Sequence, residues 1–595
     1  MALAMCMSGR RCPVVFGGIG HARNIFTAQC SNMSSVTAAL GSVDNHDEDE
    51  EDDEPVEPLP ADAAGNGVLV LKTHCCEYPS IPNDAAHGGF AVMVTVKAPS
   101  LIGAEDSGHT PVDLVTVLDV SGSMAGAKLE HVKRAMGFVI GSLGPRDRLA
   151  VVAFSDGARR LLRLTRMSEA GKAAAKRAVE SLAGAGSTNV RAGLDEAAAA
   201  LAAGSRHDNA PVATAAVILL SDGYDNYNIR RRGSRLLDGD YSDLLPPPFL
   251  VRPSGGWPTP VHAFGFGSEH DEETMHGISA ATGGTFTFVE DHAAIHDALA
   301  RCAAGIRSVT AQGVWVDVEC QFPGVRVTAV KSGRYESGIR NLVKEGHHGW
   351  VDAGELYADE ERRFLFFLDV HRLGDARRNR KKLVKVRCNY LDTATGQVVD
   401  VAPADTCARA PPSDMEVERE LVRVASAEDI ALALAAAERG DHAEAARILG
   451  ARRESVSGDG AACGALAAEL HELGMRVGDA WEYKLTGRAC LLAAMSAHAQ
   501  QRGASVRLPR PFASGMEFEW AGSAMFATPA MRRMEKLSET LRERQRQVEA
   551  EAAAPPANGS RAVIVVPRPR LEARLAAAAL RLSMLRKYRR LVLKH

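Results

Sequence analysis

The chain has 595 residues, of which 46% are hydrophobic and 24% charged, and its 70 Lys and Arg against 74 Asp and Glu leave a formal net charge of -4. That length carries several cores, about three to four domains, and so small a net charge excludes a global field that would recruit nucleic acid or a membrane surface. The eleven cysteines are odd in number and form no Cys-x-x-Cys pair, and there is neither an apolar run of membrane-spanning length nor a secretory signal, so a cytoplasmic protein with reduced thiols is expected.

Residues 1–43 contain Arg10, Arg11 and Arg23 and no acid, a composition that also fits an organelle transit peptide. An acidic run, DNHDEDEEDDE, fills 44–54, and the whole of 1–66 is too polar to bury a core and reads as disordered. Two strand patterns broken by Pro and Gly occupy 67–111. From 112 to 309 short apolar runs, LVTVL, RLAVVAF, TAAVILL and VHAFGFG, alternate with amphipathic stretches, which predicts an α/β, doubly wound parallel sheet. Helices are expected at 168–182, 190–204, 271–281 and 291–307, and another where Leu129, Val132, Met136, Val139, Ile140 and Leu143 recur at helical spacing. Residues 310–410 alternate apolar and polar positions as antiparallel strands do. They are expected to form a β-sandwich with 67–111, the α/β domain being inserted between its halves. Residues 415–550 read as helical, with a hairpin at Gly440-Asp441 and a helix start at Thr528-Pro529. Residues 551–595 read as a linker and a basic helix.

The chemistry concentrates where the first α/β strand ends, at Asp119-Val-Ser121-Gly-Ser123. The carboxyl edge of an open α/β sheet is where ligands bind, and short Asp, Ser and Thr side chains offer the oxygens that a hard cation wants. Two further pieces follow in order, Gly186-Ser187-Thr188-Asn189 before a helix and ILLSDG with Ser221, Asp222 and Gly223.

In these three pieces the sequence resembles the von Willebrand factor type A (VWA, Rossmann-like) family and its metal-ion-dependent adhesion site. The resemblance implies Ser121 and Ser123 as hydroxyl ligands, Thr188 as a third, direct or through water, and Asp119 and Asp222 as acceptors for metal-bound water or as direct ligands. The implied cofactor is Mg²⁺, with Mn²⁺ or Ca²⁺ as alternatives, and the implied partner is a protein offering an acidic residue to the open position. A domain kept only as a scaffold is the competing reading. Residues 224–257 form a long loop beside this edge, whose Tyr224, Tyr227 and Arg230, Arg231, Arg232 and Arg235 either select the partner or are simply solvated.

A narrower resemblance comes from Ile25-Phe-Thr-Ala-Gln-Cys30-Ser31, similar to a segment of the RING finger in the plant RING-plus-VWA ubiquitin ligases of the wavy-growth type, whose domain order this chain follows. A RING needs eight Cys or His ligands for two zinc ions, and Cys30 stands nearly alone, so the resemblance implies a degenerate or missing RING. Related RING-VWA proteins are then candidate partners.

Phosphate-loop, dinucleotide, nucleophile-elbow and His-Glu-x-x-His patterns are all absent, and His262 and His276 read as structural. The stretch 561–595 carries ten Lys and Arg against the single acid Glu572. It either docks on the helical region with a solvated cationic face or meets an acidic membrane, nucleic acid or the chain's own acidic run. The expected function is a metal-dependent protein-interaction adaptor rather than an enzyme; the alternative is a ubiquitin-ligase component acting with a RING-bearing partner.

Overall fold

The computed structural model describes residues 67–553, apart from 76–86, 102–108, 205–213, 228–243, 251–257, 268–269, 291, 323, 343–345, 371–381, 408–414, 457–460, 504–507, 510–516 and 519–524. The RING-like stretch, the acidic run, most of the loop after Asp222 and the basic segment 561–595 therefore lie outside the described residues. The chain divides into two compact units, Met1–Glu539 and Thr540–His595.

Strands β1 (Val70–Cys75) and β2 (His87–Lys97) come first, followed by β3 (Val112–Asp119), helix α1 (Ala127–Ser142), β4 (Arg148–Phe154), β5 (Ala158–Arg166), α2 (Glu169–Glu180), α3 (Val190–Gly204) and β6 (Thr214–Ser221). A single turn, α4 (Pro247–Leu250), precedes β7 (Val261–Phe266), α5 (Glu272–Ala281), β8 (Phe286–Val289) and α6 (Ile295–Arg307). Six of these strands form one sheet in the order β5-β4-β3-β6-β7-β8. Every residue of β3, β4 and β7 is buried, as expected of strands covered on both faces. One face packs on α1, α2 and α6, the other on α3 and α5.

The sheet is mixed rather than wholly parallel. Strand β5 runs antiparallel to β4 at the edge, joined by the tight Ser155–Gly157 turn, and its ARRLLRLTR sequence is only half-buried because an edge strand shares one side with solvent.

The chain then runs through β9 (Val309–Cys320), β10 (Val325–Lys331), β11 (Glu336–Leu342), β12 (Gly346–Tyr357), β13 (Glu361–Val370), β14 (Lys382–Asp392) and β15 (Gln397–Cys407). Two antiparallel sheets result, β1-β2-β13-β10 and β11-β12-β9-β14-β15, and they share one apolar core that includes Val92, Val94, Val316, Val318, Phe364, Phe366 and Val386. Strand β2 pairs with β13 across the whole six-stranded sheet in sequence, Lys97 opposite Glu361.

Helices α7 (Met415–Glu438), α8 (His442–Ser455), α9 (Ala461–Gly478), α10 (Ala480–Glu482), a π turn at Tyr483–Gly487, and α11 (Arg488–Gln500) close the main unit. Gly440, at φ 83°, takes the left-handed conformation that ends α7, and the Asp441 carboxylate then caps α8 by accepting from Glu444 N–H. This layer is welded to the six-stranded sheet. Ser496 Oγ accepts from Phe286 N–H at 2.9 Å, and the Arg488 guanidinium reaches Glu272, Glu273 and Glu438. Helix α12 (Pro529–Ala553) starts on Thr528, whose hydroxyl accepts from Met531 N–H, and Glu535 pairs with the buried Arg301 of α6. Among the described residues no helix is long and apolar enough to cross a membrane.

A knot of buried charge joins the layers. Arg502, 2% exposed and just past α11, donates to Glu360 and Glu355 and lies 3.7 Å from the centre of the Tyr357 ring. Arg362 donates to Glu360 as well. Two cations and two anions thus balance one another where the layers meet.

Candidate metal centre

Strand β3 is the hinge of the sheet's winding. After it the chain lays β4 on one side and later returns to lay β6 on the other, so the loops leaving β3 and β6 diverge and leave a crevice at the carboxyl edge. The first loop, after Asp119, turns through the short 3₁₀ segment Gly122–Met124 into α1. The second, Gly186–Asn189, enters α3, and the third, Asp222–Tyr227, leaves β6.

Backbone hydrogen bonds lash the three together. Gly122 N–H donates to Gly186 O at 3.0 Å and Ala185 N–H to Val120 O at 2.7 Å, while Asn226 N–H donates to Thr188 O at 2.9 Å. Gly186 sits at φ 84°, and a Cβ there would fall 2.5 Å from an oxygen of Asp156, so both conformation and space call for glycine.

On this frame Asp119, Ser121, Ser123 and Asp222 form a chain of contacts. Asp119 Oδ1 accepts from Ser121 N–H at 2.7 Å, the Ser121 and Ser123 hydroxyls are 3.0 Å apart, and Ser123 Oγ donates to Asp222 Oδ1 at 2.7 Å. Thr188 joins them from the second loop. A Cβ added at Gly223 would lie 2.9 Å from Thr188 Oγ1 and 3.5 Å from Ser123 Oγ, so both hydroxyls border the space that this glycine leaves open. Asp119, Asp222, Ser121 and Thr188 are all at most 3% exposed, whereas Ser123 faces solvent.

Lys128 and Asp156 were not singled out by sequence, and Ser221 was named there without a role. Ser221 Oγ donates to Asp119 Oδ2 at 2.5 Å, and the Lys128 ammonium contacts Asp222 Oδ2. On the rim the Tyr227 hydroxyl donates to Asp156, whose carboxylate also accepts from Ser187 N–H and is held below its ordinary range by that bond. Ser221 was legible as part of ILLSDG; Lys128, on an amphipathic helix, carries no such local signal.

Burial pushes the Asp119 carboxyl up to about 6; the Ser221 and Ser121 hydrogen bonds pull it back, and the negative Asp222 nearby adds to the rise. Two buried carboxylates beside three hydroxyls are an all-oxygen donor set, the kind a hard divalent cation takes. Among the described residues no group of three or more His, Cys, Asp or Glu is placed to hold a metal, so an ion at this edge would have to use the hydroxyls. The chemistry fits such an ion. His262 and His276 lie elsewhere, buried against Thr285 and Phe286, where burial holds both rings below their ordinary range.

Comparison with known proteins places the chain. Residues 113–301 match the von Willebrand factor type A domain. The Arabidopsis thaliana E3 ubiquitin-protein ligase WAV3 is 31% identical over 326 residues, 52% of this chain and 38% of the ligase. The probable E3 ubiquitin-protein ligase WAVH2 of the same plant is 27% identical over 378 residues, 61% of this chain and 47% of the relative. The matched region therefore spans less than half the length of either plant protein. Among solved structures, a von Willebrand factor type A protein from Catenulispora acidiphila superposes with a TM-score of 0.51 at 20% identity, covering 72% of this chain and 98% of its own, a likeness of fold. Residues 113–301, with their six-stranded sheet and three interlocked loops, belong to the von Willebrand factor type A domain family.

Proposed function

We propose that this chain is a cytoplasmic adaptor whose VWA domain captures an acidic residue of a partner protein through a divalent ion, Mg²⁺ or else Mn²⁺ or Ca²⁺. Ser121, Ser123 and Thr188 would hold the ion through their hydroxyls, with Asp119 and Asp222 behind them. Bound there, the ion would supply a strong positive charge with room for one outside carboxylate. The chain's own residues do the rest. Asp119 fixes the Ser121 backbone, Asp222 orients the Ser123 hydroxyl, and Ser221 orients Asp119. Tyr224 and Tyr227, 42% and 54% exposed, offer aromatic surface to whatever flanks the captured residue.

The observation that carries this reading is the pair of buried carboxylates, Asp119 and Asp222, set against three hydroxyls around the gap at Gly223. Calorimetric titration of the full chain with MgCl₂ and MnCl₂ tests it. Uptake of one ion by wild type and none by Asp119→Ala is expected, and absence of uptake by folded wild type would reduce the domain to a scaffold. Affinity capture in Mg²⁺ and in EDTA, compared with the same variant, then reads partner binding.

The similarity to WAV3 and WAVH2 supports a second reading, a ubiquitin-ligase component that works with a RING-bearing relative. A ubiquitination assay with a panel of conjugating enzymes, run with this chain alone and with such a relative, separates the two.

A further inference from the structure

Lys128 is the second residue of α1, in the turn where the helix exposes unpaired N–H groups and a partial positive charge. A cation is disfavoured at that end. Its ammonium nevertheless turns inward onto Asp222 Oδ2, with its side chain 26% exposed and the aspartate fully covered. The other oxygen of the same carboxylate accepts from Ser123, one of the hydroxyls bordering the open space at Gly223. Asp119, fully buried a few residues away, has only hydroxyl and N–H partners. Among the described residues Lys128 is thus the cation that meets this pair of carboxylates, and it does so at Asp222, the one already bonded to Ser123.

From this arrangement we infer that Lys128 is a resident counter-ion for the site: it neutralises Asp222 while the domain is metal-free, must yield that carboxylate when a divalent ion enters, and thereby lowers the affinity for the ion. The inference rests on the metal-binding reading given above and adds to it a residue that sets how much free ion is needed for loading. The physical ground is simple. An ammonium and a divalent cation sharing one partly buried carboxylate repel each other, and the ion recovers only part of the attraction that Asp222 could give it. The partial positive charge of the helix N-terminus adds to the repulsion.

The test uses the full chain as wild type, Lys128→Met, Lys128→Gln and Lys128→Arg. Each is titrated calorimetrically with MgCl₂ and MnCl₂ and melted in EDTA and in excess Mg²⁺. Met and Gln, unbranched at Cβ and one atom shorter, remove the charge, so both are expected to bind about tenfold more tightly than wild type, while Arg stays close to wild type. In EDTA the two neutral variants should melt below wild type, and the rise in Tm on adding Mg²⁺ should be larger for them. Equal or weaker binding by both neutral variants would overturn the inference and make Lys128 a positioning residue for Asp222. If folded wild type takes up neither ion, the metal-binding reading itself fails; if wild type binds and the variants bind no better, only the role of Lys128 fails.

Discussion

Strand β3 carries an aspartate near each end, and the two have been given opposite surroundings. At the amino end Asp113 is clasped by the buried Arg148, Nε to Oδ1 at 2.7 Å and a terminal nitrogen to Oδ2 at 2.6 Å. At the carboxyl end Asp119 meets, among the described residues, Ser121 and the Ser221 hydroxyl, with a second carboxylate nearby. The first arrangement closes its charge account within the protein. The second keeps negative charge in surplus, which is costly unless something positive arrives, and surplus of that kind supports the proposed metal site.

The comparison can be broken at its stronger end. Arg148→Met would strand Asp113 in the sheet, and a loss of about 3–5 kcal/mol in chemical unfolding is expected. If Arg148→Met unfolds like wild type, the amino-end pair is no strut. Asp119→Asn should behave the other way, weakening Mg²⁺ uptake by about 10–100-fold while leaving the protein folded in EDTA. A stability loss in EDTA as large as that of Arg148→Met would erase the distinction between the two ends.

The pH dependence sharpens the contrast. Asp119 titrates at about 6 in the folded metal-free domain against 3.8 when unperturbed, so folding takes up a proton between those values. Its contribution to stability is complete below pH 4 and is lost as pH rises through about 6. In EDTA, therefore, Asp119→Asn should gain on wild type as pH rises from 5 to 7, by on the order of 1 kcal/mol, measured by urea unfolding at each pH. Parallel profiles for the two proteins would show that burial of this carboxyl costs nothing. Gly223→Ala should have a smaller effect, confined to ion affinity: its methyl would crowd Thr188 and Ser123, and a several-fold loss of Mg²⁺ binding with unchanged Tm in EDTA is expected. Smallest of all, Tyr227→Phe removes one exposed hydrogen bond to Asp156 and should leave both ion affinity and Tm unaltered, whereas partner capture in Mg²⁺ reports whether the rim matters.

Much of this was readable in the chain, for physical reasons that also explain the gaps. The buried strands announce themselves because a strand covered on both faces must be apolar throughout, as VDLVTVLD and RLAVVAF are. The loop residues are legible because short oxygen side chains gather at turns in a fixed order. Strand β5 was hidden by its six-residue run of arginines and leucines, RRLLRL, which an edge tolerates and a helix would equally accept. Strand β11 is the polar ESGIRNL and β12 begins with GHHGW; β12 is held by pairing with β9, and β11 by pairing with β12, rather than by their own pattern. Lys128 and Arg502 were invisible for a common reason: each acts through a partner far off in sequence, Asp222 in one case and Glu360 in the other.

The pairing of β2 with β13 has a consequence for how the chain is made. Lys97 and Glu361, opposite each other in the finished sheet, leave the ribosome 264 residues apart. At ~5–20 residues per second, β1 and β2 wait about ten seconds to a minute for their neighbour, an apolar ribbon with an open flank in a crowded cell. A VWA domain that matures during that interval would hold the two ends of the chain close together, so the strand that is still being translated arrives beside the one that has been waiting.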